Sequence, residues 1–518
     1  MSSPSNRPLA FTRWPAWLSV VALAVLGKGF AFLREPVIAA AFGANASADG
    51  YYVAIGLPFF FYNLLGVPFS LWVTARLAAV RRGVAGHALE MFYRRALAWG
   101  FTASVLLALG LAVLSRDVVH GYAPGLDGAR LEQAAALARL GAAALPALVL
   151  QAVCSGRLFA EHRFTTVYAW QSVGSFVGFV GVLLLTPVYG PSGAVVAFTA
   201  TWWTAGLGLL AQRHQTVTSA VTGPALPWGE DLGVGVAGRA LVMQVFFQGN
   251  GLLVYSFASR LATGEIAAAL FAGKIIMAIY ETIVLTAGVL VFPWVARFVH
   301  EGDDAAVGRV LMQALNGLVP VTVAFMLLLA VSRTELVTLI YRRQAFDARA
   351  TTLVSQALLG YAPYLLGTTL VEILHRAMVL RGRAAGYLIV FGGGLLVNWI
   401  ASVLLVPPLG VSGVALGSAI GVLAAGAGLW TYAHLRLPNL YPKPIALLLA
   451  RTFAAAAGVL VVLVPVRARI PPPASVAGRL LLLFGDALTA GTMFGGLLFL
   501  FGYRWRRPAV SGLQGAAG

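Results

Sequence analysis

The chain has 518 residues, of which 59% are hydrophobic and only 10% charged. Soluble domains carry about 25% charged residues, so the composition excludes an ordinary soluble domain and predicts an all-α polytopic membrane protein organised by lipid. The net charge of +18 would suggest nucleic acid on a soluble surface. Here the cations gather at helix ends, as the positive-inside rule requires, and no nucleic-acid partner is expected.

The N-terminal MSSPSNRPLAFTRW is short, polar and basic. The apolar run behind it is too long for a signal-peptide core and has no A-x-A cleavage site, so a retained first helix with a cytoplasmic N-terminus is expected. About fourteen transmembrane helices are predicted, over 15–43, 47–79, 93–115, 130–156, 166–188, 192–213, 236–262, 264–299, 308–332, 349–377, 384–406, 411–434, 445–466 and 478–503. Alternating ten-residue strands are absent from the pattern, which argues against an outer-membrane barrel.

The first helix reads GKGFAFLREPVIAAAFGANASADGYY from residue 27 and holds Lys28, Arg34 and Glu35. A cation at the bilayer centre costs about 2.5–3.5 kcal/mol on an insertion scale, so such residues face a wet cavity or a partner. Lys28 and Glu35 lie on nearly the same helical face, about 10 Å apart along the axis, and Arg34 is roughly 100° round from Glu35. Pro36 removes a backbone donor and is expected to bend the helix beyond the charges. Two readings stand: Arg34 and Glu35 pair with neighbouring helices, or they line a functional cavity. Asp49 stands near the start of the second helix and suits either an N-terminal role or a mechanistic one.

Farther along, most Arg and Lys fall in alternate loops: RLAAVRRG with YRR, GRLFAEHR, RFVHEGDD, HRAMVLRGR and the C-terminal YRWRR. That side is assigned to the cytoplasm. The loop at 332–349 is basic on the opposite side and runs against the trend. Lys274 sits ten residues into the eighth helix, where it either faces a cavity or snorkels to the surface. With Lys28 and Arg34 it would form an anion site drawing on both halves of the chain, suited to phosphate. Glu281, Glu372 and Asp486 lie in later helices and could each bind a proton or Na⁺ for coupling, or pair with an Arg or Lys.

An internal repeat is visible. PVYGPSGAVVA (187–197) resembles PPLGVSGVALG (407–417), GVPFSLWVTAR (66–76) resembles GVLVFPWVAR (288–297), and CSGRLFAEHR (154–163) resembles LHRAMVLRGR (374–383), all at offsets near 220. The expected organisation is an N-terminal lobe over 1–225, a C-terminal lobe over 226–443 and two additional helices with a cytoplasmic tail over 444–518. Because the repeated unit has six helices, the two lobes would be related by a pseudo-two-fold along the membrane normal, the usual plan for alternating access.

Other chemistries find little support. The single Cys154 excludes an intrachain disulfide, and the seven histidines lack ligand spacing, so no metal site is expected. No phosphate-binding G-x-x-x-x-G-K-[ST] loop occurs. Paired catalytic carboxylates and Ser–His arrangements are also missing, so neither an enzyme nor a cofactor is expected.

The stretch GFAFLREPVIAAAFGANASADGYYVAIGLP resembles the opening signature of the MurJ/MviN lipid II flippase family, within the multidrug/oligosaccharidyl-lipid/polysaccharide exporter superfamily. TGEIAAALFAGK (263–274) and GVLVFP (288–293) resemble later motifs, and the likeness covers about twelve helices. The resemblance implies that Lys28 and Arg34 stand at two cavity-arginine positions, Glu35 replaces the adjoining Asp, Asp49 matches an acidic position and Lys274 replaces the second-lobe cavity arginine. Tyr62 stands where the family has a further arginine, and Glu372 where it has a lysine. The implied function is translocation of an undecaprenyl-pyrophosphate-linked saccharide, foremost lipid II, to the outer leaflet of the bacterial cytoplasmic membrane. Membrane lipids are the other implied partners, and a monomer is expected. Outward passage of a dianion is favoured by about 4.6 kcal/mol per 100 mV of inside-negative potential, so the membrane potential, H⁺ or Na⁺ could couple transport without ATP. Alternatives are flipping of another lipid-linked polysaccharide or O-antigen unit, a drug or cation antiporter of the same superfamily, and a non-transporting scaffold.

Overall fold

The computed structural model describes residues 14–80, 86–212, 234–380, 384–473 and 475–503. Among them there is no strand. The chain divides into two compact units: residues up to Phe42 with Ala46–Gln248, and Gly43–Asn45 with everything from Gly249 onward. The expected boundary at 225/226 lies outside the described residues.

In the first unit, α1 (Trp14–Phe42) is followed by α2 (Ala46–Phe61), which passes through a π-helical turn, Tyr62–Gly66, into α3 (Val67–Val80). Then come α4 (Gly86–Val113), the short α5 (Ser115–Tyr122), α6 (Gly128–Ala142), α7 (Ala144–Ala160) and α8 (Phe164–Leu210). Helix α9 (Val234–Ala258) belongs to the first unit as far as Gln248 and to the second thereafter. The second unit continues with α10 (Glu265–Ile279), a π-helical turn at Tyr280–Leu285, α11 (Thr286–Glu301), α12 (Asp304–Tyr341), α13 (Ala348–Tyr361) and α14 (Tyr364–Leu380). It ends with α15 (Ala384–Leu409), α16 (Val411–His434), α17 (Pro442–Ala468) and α18 (Val476–Leu500).

Each of the fourteen predicted segments falls mainly on described helix, and among the described helices only α5 has no counterpart in the sequence reading. Ten described helical stretches are long and apolar enough to cross a membrane, or eleven if α13 and α14, bent by 41°, make one span. Helix α1 is not among the ten. It is 29 residues long, but it carries Lys28, Arg34 and Glu35 within eight positions. It also runs through Pro36 without ending there.

The duplication read from sequence recurs in the geometry inside each unit. Helix α8 breaks at Gly190 (φ 58, ψ −139), and α15 passes into α16 at Gly410 (φ 55, ψ −132). Those angles are open to glycine and closed to residues with a Cβ. In each case the chain reverses into a helical hairpin. Gly174 and Gly178 lie against Thr201 across the first hairpin, and Gly417 and Gly421 lie against Ser402 and Asn398 across the second. Small residues at such seams let backbones approach closely where lipid supplies no hydrophobic drive between helices. The starts of α6 and α7, Gly128 and Ala144, are likewise each 220 residues ahead of the starts of α13 and α14, Ala348 and Tyr364. The two π-helical turns begin at Tyr62 and Tyr280.

The final two helices pack into the second unit. Val323 and Leu327 of α12 form one buried cluster with Ala455 and Val459 of α17 and Ala490 and Phe494 of α18.

A Cβ at Gly413 would lie 2.3 Å from the Leu405 carbonyl oxygen, whereas at Gly392 nothing lies within 4 Å. Gly413→Ala is therefore expected to destabilise the protein by about 1–3 kcal/mol, as overpacking does, and Gly392→Ala to leave stability unchanged or raised. Thermal unfolding in detergent compares them.

Candidate functional site

Helix α1 meets α8 along a seam at positions 23, 27, 30 and 34, the spacing of one helical face. Ser172 Oγ donates to the Leu23 carbonyl at 2.6 Å. Gly27 is small enough to sit against Ser172, and the Phe30 ring meets Phe176 at 5.1 Å and Phe179 at 6.0 Å. Arg34 continues the same seam, its guanidinium 5.7 Å from the centre of the Phe198 ring. The amphipathic stem of arginine packs there on aromatic surface, with a cation–π contribution.

Arg34 and Glu35 are both buried. Arg34 Nη2 lies 3.6 Å from Glu35 Oε1, and the Tyr52 hydroxyl on α2 donates to Glu35 Oε2 at 2.6 Å. The neighbouring Tyr51 ring packs edge-on to Tyr52 at 5.2 Å, within electrostatic reach of Arg34 and Glu35. Two buried donors of this cluster, Arg34 Nε and the Tyr51 hydroxyl, have no hydrogen-bond partner. Buried polar groups are nearly always paired, so these two mark capacity for a ligand or for another conformation.

The other expected residues fall in different surroundings. Lys28 is exposed on α1, one position off the α8 seam. Asp49 is buried in the first turn of α2, where the helix dipole favours an anion, and Arg130 Nη2 of α6 lies 3.7 Å from its Oδ2. Lys274 is half-buried on α10, and Glu281 is half-buried in the π-helical turn. Glu372 is buried on α14. Arg376 Nε, one helical turn on, donates to its Oε1 at 3.0 Å. The Tyr280 hydroxyl donates to Oε2 at 3.2 Å, and His375 Nδ1 is 4.0 Å away. Asp486 accepts from Ser332 Oγ at 2.7 Å and lies 3.4 Å from Arg467 Nε, and Arg467 also pairs with Glu335. Of the two readings open for Glu372 and Asp486, both residues have the arginine partner. Tyr62 opens the first π-helical turn.

A further, half-buried charge group has no counterpart in the sequence reading. Arg157 on α7 binds Glu90 on α4 at 2.8 Å and Glu161 at 3.1 Å, and stacks 4.3 Å over Tyr93. The i,i+4 spacing of Arg157 with Glu161, and of Glu372 with Arg376, was readable as helical ion pairing. Tyr52, Arg130 and Arg467 carried no such signal, because their partners lie on other helices. Among the described residues no group of three or more His, Cys, Asp or Glu could hold a metal ion.

A family model described as lipid II flippase MurJ matches residues 38–477. The lipid II flippase MurJ of Burkholderia cenocepacia is 25% identical over 456 residues, covering 83% of this chain and 85% of that protein. The probable lipid II flippase MurJ of Rhizobium tropici is 24% identical over 409 residues, 76% of this chain and 75% of that one. A solved structure of lipid II flippase MurJ in an inward closed conformation superposes with a TM-score of 0.71 at 15% identity, over 92% of this chain and 98% of that chain. An inward-facing multidrug resistance MATE family transporter of the MOP superfamily gives 0.66 at 15% identity, over 81% and 97%. At such identities the structural likeness concerns the fold.

Removing one partner of a buried ion pair strands the other charge, which costs about 3–5 kcal/mol. Arg376→Ala is expected to destabilise the protein by that order, and the double variant Glu372→Gln with Arg376→Ala by clearly less. Thermal unfolding of the single and double variants measures the difference.

Proposed function

Because the chain belongs to the lipid II flippase MurJ family, whose model matches residues 38–477, we propose that it carries lipid II from the inner to the outer leaflet of the bacterial cytoplasmic membrane by alternating access. It does so as a transporter, without covalent chemistry. The family match over most of the chain carries this reading. The buried Arg34–Glu35 group supports it, since an intramembrane cation with an uncommitted donor suits a phosphate oxygen.

On this reading Lys28, Arg34 and Asp49 of the first unit and Lys274 of the second act on the pyrophosphate, the cations as counter-charges and Asp49 by fixing Arg130. Glu35, Glu281 and Glu372 are the groups through which gating or ion coupling acts. Glu372 is held by Arg376 and Tyr280. The membrane potential favours outward movement of a dianion by about 4.6 kcal/mol per 100 mV, and H⁺ or Na⁺ coupling is an additional route. The N-terminus lies in the cytoplasm, the saccharide passes with its pyrophosphate, and the polyprenyl tail stays in lipid. The protein works as a monomer.

Cells depleted of their own lipid II flippase test the proposal. The wild-type chain is expected to restore growth and wall synthesis, and Arg34→Ala, expressed at the same level, is expected to fail. No rescue by the wild type, together with loss of a surface polysaccharide on deletion in the native host, would instead assign another lipid-linked saccharide.

A further inference from the structure

Tyr52 competes with Arg34 for the same carboxylate. Its ring is fully buried, and its hydroxyl holds Glu35 Oε2 at 2.6 Å, the length of a charge-assisted O–H···O⁻ bond. The nearest approach of the guanidinium to Glu35 Oε1 is 3.6 Å, an ion-pair separation longer than a hydrogen bond. An unopposed arginine and carboxylate prefer the bidentate fork, which uses both oxygens and two N–H groups. That fork is not formed here, and Arg34 Nε is left without a hydrogen-bond partner inside the protein.

We propose that Tyr52 is a positioning residue: by holding one oxygen of Glu35, it prevents the carboxylate from chelating Arg34 and keeps the guanidinium's remaining donors available to an anionic oxygen of the substrate. The carboxylate still lies close enough to offset the cost of the buried cation. Without the phenol, a buried carboxylate that has lost a charged hydrogen bond takes the next donor in reach, and the Arg34 guanidinium, 3.6 Å away at Nη2, is such a donor. The arginine is then masked by its own neighbour. This deepens the functional proposal and rests on Arg34 meeting the substrate anion.

The test uses the purified full-length chain in nanodiscs, with undecaprenyl pyrophosphate as the probe, and compares wild type, R34A, Y52F and the double variant E35Q/Y52F. Loss of one charged hydrogen bond corresponds to about 10- to 100-fold in affinity, and Y52F is expected to weaken binding by that factor. Neutralising Glu35 removes the competitor, so E35Q/Y52F is expected to regain most of the lost affinity. A purely structural role for Tyr52 predicts the opposite order, with the double variant no better than Y52F, and that result overturns the inference. Wild-type affinity in Y52F with binding abolished in R34A overturns it while leaving the assignment of Arg34 intact. Wild-type affinity in R34A removes the assignment of Arg34 itself, and the inference falls with it. If Y52F does not accumulate in membranes, Tyr52→Met replaces it in both arms, since it also lacks the hydroxyl.

Discussion

A charge placed in a lipid-spanning helix must find its partner inside the protein, and this constraint organises the bundle. Water is absent, lipid is as apolar as leucine, and helices gain little by merely touching. The buried and half-buried charge groups accordingly sit where helices meet. Glu35 is held by Tyr52, joining α1 to α2. Asp49 and Arg130 join α2 to α6, and Arg157 with Glu90 joins α7 to α4. Glu372 draws Tyr280 of the second π-helical turn to α14. Asp486, Ser332, Glu335 and Arg467 tie α12, α17 and α18 together beside the apolar cluster of the same three helices. Each polar group adds direction to seams that glycines and aromatic rings otherwise fill.

Much of this fold was legible in the sequence. The apolar runs marked where helices lie, because a segment that must satisfy its backbone within lipid has few alternatives to a helix. The PVYGPSG and PPLGVSG repeats pointed to two equivalent reversals, and Gly190 and Gly410 occupy them with nearly the same backbone angles. The candidate site was legible only in part. Arg34 and Glu35 stood out because charge is rare in this chain, and Glu372 for the same reason. Their partners on other helices did not stand out. A tyrosine in a chain with 16 of them gives no sign that its hydroxyl reaches a carboxylate 17 positions earlier, since that contact depends on how α1 and α2 pack. Arg130 and Arg467 were hidden likewise, in helices whose ends carry many cations.

The duplicated architecture and the unduplicated charges have different consequences. Backbone features recur at an interval of about 220 residues: the glycine reversals, the starts of the α6–α7 and α13–α14 pairs, and the π-helical turns, an irregularity that tends to persist at functional positions. The Arg34–Glu35 and Glu372–Arg376 pairs do not recur at 220 residues. Counting 220 residues on from Arg34 and Glu35 gives Val254 and Tyr255, and counting 220 back from Glu372 and Arg376 gives Ala152 and Gly156. At Gly156 a side chain could not replace the glycine without meeting Thr74, whose Oγ1 would lie 2.4 Å from its Cβ. The first repeat therefore cannot host the second repeat's ion pair without repacking. One scaffold was kept twice, and each copy was furnished with charge separately.

The two furnished sites also differ in what they leave over. In the second unit Glu372 accepts from both Arg376 and Tyr280, so its two oxygens are engaged from two helical segments. In the first unit the tyrosine takes one oxygen of the carboxylate and the arginine keeps an unmatched N–H. A carboxylate engaged on both oxygens suits a joint that holds its helices in register. A cation with donors to spare suits a visiting anion. The same three residue types, Arg, Glu and Tyr, thus build a closed cluster in one repeat and an open one in the other: the arginine donates to the carboxylate in the closed cluster and keeps Nε without a hydrogen bond in the open one.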